Sequence, residues 1–218
     1  MPPGPVSPPV RWHGLILAGG AAKRFGRDKV MALVNGQRLL DRAAASLVEA
    51  DGVSVALGTP ERAAALAPLL PPGVTGFADD RPGCGPMGGL ASALSRHRDG
   101  WLAVLAADLP MVPVAWWPWL AQSHQRGAAA LVPRDASGRW EPLAALYHGS
   151  LADELGARVA SDQRARLALH AWLDALADAG RMVPAAAAAM PESALLKVNR
   201  PEDAADLERL LEQRSGAA

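Results

Sequence analysis

With 218 residues, half of them hydrophobic, the chain is long enough to bury a real core, and one α/β domain is the simpler expectation for that length. Twenty-two basic side chains balance twenty-two acidic ones, so no global field recruits nucleic acid or an anionic membrane, and any anion site has to be built locally. The single cysteine, Cys84, excludes an internal disulfide and a cysteine-built metal cluster, and no apolar run approaches a membrane span, so a cytoplasmic setting is expected.

The opening MPPGPVSPPV is proline-rich and lacks the basic and apolar regions of a signal peptide. It reads as a loose extension (1–10) before a single domain (11–213) and a short tail (214–218). GLILA (14–18) is predicted as a buried strand, QRLLDRAAASLVEA (37–50) as a helix, VSVAL (53–57) as a strand and PERAAALAPLL (60–70) as a helix. The alternation continues with a strand at 74–78, a helix at about 87–97, a strand at 101–107, a helix at about 114–125 and a strand at 128–133. Such alternation implies right-handed crossovers and a Rossmann-like, doubly wound, mostly parallel sheet with helices on both faces. RDASGRW (134–140) carries turn residues and PLAALYH returns as a short strand, which predicts an antiparallel excursion near 134–147. Beyond it, 161–179 is helical and amphipathic, RMVPAAAAAMPES is a breaker-rich connection, and LLKV is a short strand. PEDAADLERLLEQR then opens with the Pro and acidic residues of a first helical turn. No function is assigned to the alanine tract at 185–189.

In an open α/β sheet, ligands bind where loops leave the carboxyl ends of strands, and the first strand empties directly into LAGGAAKRFGRDK. Gly19 and Gly20 let backbone N–H groups approach an anion, the guanidinium of Arg24 forms a planar fork for phosphate oxygens, and Lys29 adds a mobile point charge. The stretch has neither the Gly-Lys-Ser/Thr ending of a Walker loop nor the G-x-G-x-x-G of a dinucleotide fold. Taken singly, each feature has a plainer reading: a tight turn for Gly19–Gly20, and solvated charge for Arg24 and Lys29. Asp108 at the end of an apolar strand either caps the Pro110 turn or meets a metal, Asp79 and Asp80 open an ordinary turn or touch a ligand, and Asn199 caps the last helix or reaches the site.

L-A-G-G-x-x-x-R-x-G-x-D-K, filled by Leu17, Ala18, Gly19, Gly20, Arg24, Gly26, Asp28 and Lys29, resembles the signature of the MobA-like nucleotidyltransferases, above all the molybdenum cofactor guanylyltransferases. Three later stretches resemble the same family in order: DDRPGCGPMGGL (79–90), LAADLPMVP (105–113) and KVNRPEDAADL (197–207). The resemblance implies in-line attack by the terminal phosphate of molybdopterin on the α-phosphorus of GTP, with pyrophosphate leaving. It implies Mg²⁺ on Asp108, with Arg24 and Lys29 stabilising the leaving group. Nucleotide contacts would come from Leu17, Ala18, Gly19, Gly20, Arg24, Lys29, Asp79, Asp80 and Asp108, and acceptor or active-site contacts from Gly85, Pro86 and Asn199. Molybdoenzymes or their chaperones are the implied protein partners.

The chain also departs from that pattern. Where such guanylyltransferases commonly end the second strand in an Asn that contacts the nucleotide, this chain has Ala56 or Leu57. The family's Gln before Pro-Leu is Glu141, and its paired closing asparagines are reduced to Asn199, with Lys197 at the other position, where it could meet phosphate. Trp116, Trp117 and Trp119 either stack on a pterin or pack a helix start or a dimer surface. Two other functions stay open: a cytidylyltransferase of the same fold acting on molybdopterin or another phosphorylated acceptor, and a non-catalytic nucleotide-binding domain. The Gly19–Gly20 pair leans towards guanine by family habit, and Asp108 with Lys29 argues for catalysis.

Overall fold

The computed structural model describes residues 10–19, 28–135, 137–161, 169–186 and 192–215. In chain order the elements are β1 (Trp12–Leu17), a hairpin of β2 (Leu33–Val34) and β3 (Gln37–Arg38), α1 (Leu39–Ser46), β4 (Val53–Ala56), α2 (Pro60–Leu66), β5 (Val74–Phe77), α3 (Gly85–Arg96) and β6 (Trp101–Ala106). They continue with α4 (Trp116–Gln122), β7 (Ala130–Arg134), β8 (Ala144–His148), α5 (Ala152–Ala160), α6 (Leu169–Asp178), β9 (Met182–Ala186) and α7 (Pro201–Ser215).

A seven-stranded sheet runs in the order β5-β4-β1-β6-β8-β7-β9. β1 pairs in parallel with β4 and β6, and β7 in parallel with β9, while β8 runs antiparallel between β6 and β7. This is the expected mostly parallel, doubly wound sheet with its antiparallel excursion. The alternation of β1 shows why it sits at the centre: Leu15 and Leu17 enter the core on the α3 side, and Ile16 and Ala18 enter the core that holds α4. A strand covered on both faces reads as a nearly continuous apolar run, and residues 14 to 17 are all buried.

Several boundaries differ from the sequence expectation for physical reasons. The helix expected from residue 37 starts at Leu39, because Gln37 and Arg38 pair with Leu33 and Val34 across Asn35–Gly36. Both turn residues have positive φ, 47° and 72°, as a two-residue hairpin requires. α5 is additional to the predicted elements. The connection after α6 contains β9, an edge strand in which Pro184 stands opposite Val132. The strand expected at LLKV is instead a 3₁₀ turn, Glu192–Leu195, followed by irregular chain. Part of the helix expected at 161–179 and part of the alanine tract lie outside the described residues, as do 1–9 and 216–218. No described helix is long and apolar enough to cross a membrane.

The tryptophans of α4 serve the core. Trp116 and Trp117 are fully buried, and their indole N–H groups donate to the carbonyls of Ala144 and Ser46, each at 2.9 Å. Trp119 packs on Trp116 with ring centroids 5.0 Å apart. A smaller third core joins Val34 and Leu39 to Val198, Ala204 and Leu207, which seats α7 and the chain before it against the β2–β3 hairpin.

Candidate functional site

A cleft of about 210 Å³ opens at the carboxyl ends of β1, β4 and β6. Its floor is the end of β1, held flush with its neighbours: the Ala18 N–H donates to Ala56 O at 3.0 Å, and the Ala107 N–H donates to Leu17 O at 3.1 Å. Leu17, Ala18, Gly19, Lys29, Asp79, Gly85, Pro86 and Asp108 all line it, bringing together eight of the residues singled out in the sequence. Gly20 and Arg24, with Lys23 and Gly26, lie outside the described residues.

Lys29 is firmly mounted. Asp28 accepts from the Val30 N–H and caps the 3₁₀ turn Lys29–Met31, while its carboxylate takes a two-pronged contact from Arg62 Nε and Nη2 at 2.6 and 2.8 Å. The third prong of Arg62 donates to Leu57 O at 2.8 Å, so the turn is bolted to the end of β4. From this mount Lys29 Nζ reaches Asp108 Oδ2 at 2.9 Å and Asn199 Oδ1 at 3.1 Å. Asp108 therefore pairs through its side chain with a cation and does not cap the Pro110 turn. Asn199 spends its side-chain oxygen on Lys29, and Asp203, in the first turn of α7, reaches back to accept from the Asn199 and Arg200 N–H groups at 2.6 and 2.8 Å, which ties the helix to the chain before it.

Opposite Lys29, the buried Asp79 faces the cleft, its Oδ1 accepting from the Gly58 N–H at 3.3 Å. Burial pushes its carboxyl above the ordinary range, and the Gly58 hydrogen bond opposes that shift. Gly58 has φ 80°, and a Cβ on it would stand 3.3 Å from Gly19 O, so glycine is required there both by conformation and by the close approach of the β1 end. Asp80 points elsewhere. Its carboxylate pairs with Arg96 Nη2 at 2.7 Å on the half-exposed outer surface, which holds its carboxyl below the usual range, and it does not line the cleft.

The remaining departures from the family pattern meet one another. Lys197 Nζ lies 2.7 Å from Glu141 Oε2, and the Glu141 side chain is 6% exposed. Lys197 is thus engaged by a carboxylate instead of standing free for phosphate. Ala56 is buried at the end of β4 and lines the cleft, close to Gly89. Sequence reasoning missed Arg62, Gly58 and Gly89. Gly58 was open to reading as a turn glycine before the Thr59 cap, but Arg62 lies in an ordinary helical pattern that carries no signal for its partner.

Residues 14–179 match the family model of the MobA-like NTP transferase domain. A Deinococcus radiodurans protein named probable molybdenum cofactor guanylyltransferase is 35% identical over 156 residues, covering 70% of this chain and 76% of that protein. One of the same name from Opitutus terrae is 32% identical over 198 residues, covering 87% and 91%. In fold, the chain is similar to the crystal structure of molybdopterin-guanine dinucleotide biosynthesis protein A from Archaeoglobus fulgidus, with a TM-score of 0.74, 21% identity, and 92% and 99% of the two chains covered. With the cleft at the strand ends and a family match across most of its length, the chain belongs to the MobA-like NTP transferases.

Proposed function

We propose that this chain transfers GMP from GTP to the terminal phosphate of molybdopterin and releases pyrophosphate. The observation that carries the reading is the Lys29–Asp108 pair, a partly buried cation on the 3₁₀ turn Lys29–Met31 facing a carboxylate just past the end of β6, beside the glycine-bordered floor. In-line phosphoryl chemistry needs position and charge more than acid–base work. The acceptor oxygen attacks the α-phosphorus, and the bond to the bridging oxygen of pyrophosphate breaks. Lys29 neutralises charge that grows on the leaving group, assisted by Arg24, while the backbone from Leu17 through Gly20 holds the nucleotide. Asp79 accepts hydrogen bonds from nucleotide N–H donors. Gly85, Pro86 and Asn199 border the acceptor side.

A divalent cation fits the donor set. Among the described residues no group of three or more His, Cys, Asp or Glu is placed to hold a metal by protein ligands alone, and Asp108 offers a hard oxygen at the cleft wall. That is the provision Mg²⁺ prefers, with one or two carboxylates and the other positions filled by phosphate oxygens and water. Mg²⁺ on Asp108 would supply charge neutralisation to the triphosphate.

Pyrophosphate release from Mg²⁺–GTP and molybdopterin tests the reading. Replacing Lys29 by Ala is expected to lower turnover on the order of a hundredfold or more, with a smaller loss of GTP affinity, because the charge it meets is largest in the transition state. Unchanged turnover would remove Lys29 from the chemistry. Asp108→Asn is expected to abolish the Mg²⁺-dependent part of GTP binding, measured by titration calorimetry, while metal-free GTP binding holds or strengthens as a repulsion disappears.

A further inference from the structure

Glu141 is buried in the loop between β7 and β8, and among the described residues the ion-pair partner of its carboxylate is Lys197, at 2.7 Å. Its other oxygen takes a long bond, 3.4 Å, from the Leu143 N–H. A buried carboxylate with one close donor depends heavily on that donor.

Lys197 also begins a run of three residues that passes beside the Lys29–Asp108 wall of the cleft, each with an anchor. Lys197 reaches Glu141, the Val198 N–H donates to Asp108 O at 2.9 Å, and Asn199 Oδ1 accepts from Lys29 Nζ at 3.1 Å. Val198 is buried in the third core, so the middle of the run has little freedom to drift. Asn199 is exposed and is held by its chain neighbours, by Val198 before it and by α7 after it, whose Asp203 accepts from the Asn199 N–H at 2.6 Å; the Lys197–Glu141 contact is a further anchor at the start of the run. Two departures from the family pattern, Glu141 for Gln and Lys197 for Asn, thus fall on a single contact two residues from the candidate catalytic lysine's partner.

We propose that the Lys197–Glu141 ion pair is a positioning device for Lys29: it adds the anchor that sets the course of the 197–199 run beside Asp108, so that Asn199 holds the Lys29 ammonium against Asp108. The proposal rests on the transferase reading above. Lys197 acts through Asn199 and leaves the handling of phosphate charge to Lys29 and Arg24.

The test compares wild type with Lys197→Met, Lys197→Arg, Glu141→Gln and the double variant Lys197→Met/Glu141→Gln. Melting temperature is measured for each, and kcat and KM for Mg²⁺–GTP are measured well below each variant's own melting temperature. Lys197→Met strands a buried charge, so a fall in Tm of about 5 °C or more is expected, together with a roughly tenfold to hundredfold loss in kcat and little change in KM. Lys197→Arg keeps the pair and is expected to stay within about threefold of wild type. The double variant decides the matter: with no charge left stranded it regains much of the Tm but keeps the low kcat, because the run still lacks the anchor at Lys197. Recovery of both Tm and kcat in the double variant, or full kcat in Lys197→Met, would overturn the proposal and leave the pair as a stabilising contact. Lys29→Ala run alongside separates the two levels: if it turns over normally, the transferase role of Lys29 fails, whatever the Lys197 variants do.

Discussion

At the scale of single residues, Asp79 carries a cost that the free protein must bear. Burial raises its carboxyl pKa, so the folded state holds the proton more tightly than the unfolded chain does. The stabilisation that follows from a raised acid pKa is present below the unfolded value and is lost as pH rises through the folded one. At neutral pH the ionised Asp79 therefore weakens the fold. Asp79→Asn keeps an oxygen for the Gly58 N–H and removes the charge, so the Tm is expected to rise by about a few degrees at pH 7.5 and to change little near pH 4. The same variant is expected to bind GTP more weakly, since an amide offers nucleotide N–H donors a poorer acceptor than a carboxylate does. A Tm gain that is identical at both pH values would show that ionisation is not its source.

At the scale of elements, the seat of α3 depends on two glycines, Gly89 against the sheet and Gly88 against the chain that leads into the helix. A Cβ on Gly89 would stand 2.9 Å from both Ala56 Cβ and Leu17 Cδ2, and one on Gly88 would stand 3.0 Å from Arg81 O. The Gly89→Ala variant forces α3 outward and is expected to cost about 1–3 kcal/mol in urea unfolding, with weaker GTP binding because Gly85 and Pro86 move with the helix. Gly156 lies inside α5 with open space around it, so Gly156→Ala is expected to stabilise by about 0.5–1 kcal/mol. Elements like these differ in how far they can be read in advance. β1, β4 and β6 were legible because strands covered on both faces read as nearly continuous apolar runs, broken here only by residues such as His13 and Ser54, which pair with each other. The Asn-Gly pair at 35–36 is a hairpin signal that the sequence analysis passed over, because Gln37 and Arg38 after it are polar and run on into a long helical pattern. β9 was not legible: Pro184 and the alanines carry no strand propensity, and the strand exists because β7 offers it an edge. The same limit applied at the site. Gly19, Lys29 and Asp108 follow strand ends and could be placed from the alternation alone, whereas the Arg62–Asp28 and Lys197–Glu141 contacts join distant segments that no local pattern relates.

At the scale of the whole molecule, the two ends of the sheet have different chemistry. The carboxyl end holds the cleft, while the amino end gathers His13, His97, His124 and His148 around Trp12 and Trp101. His13 stacks on His97 with ring centroids 4.2 Å apart, and its Nε2 lies 3.1 Å from Ser54 Oγ. Burial lowers both pKa values; the charge of His97 adds to the effect on His13 and that of Arg96 to the effect on His97, while Asp51 opposes it on His13. A depressed histidine pKa gives stability that is present above the unfolded value and lost as pH falls through the folded one. Stability is therefore expected to decline as the protein is acidified below about pH 6.5, and His13→Phe, which keeps a stacking ring without a titrating nitrogen, is expected to reduce the pH slope by on the order of one proton. Urea titrations at pH 7.5 and 5 would measure it, and an unchanged slope would assign the acid sensitivity to other groups. The reversal of β8 bears on the other end of the sheet. A parallel crossover carries the chain to the far rim before it returns, so each parallel strand presents only its exit to the cleft. β7 and β8 are joined without leaving that rim, and the loop between them delivers both Glu141 and Leu143 there. A change in the turn between β7 and β8 therefore acts at the cleft rim without passing through the floor that ends β1, so a relative could reshape the wall at Leu143 while keeping that floor intact.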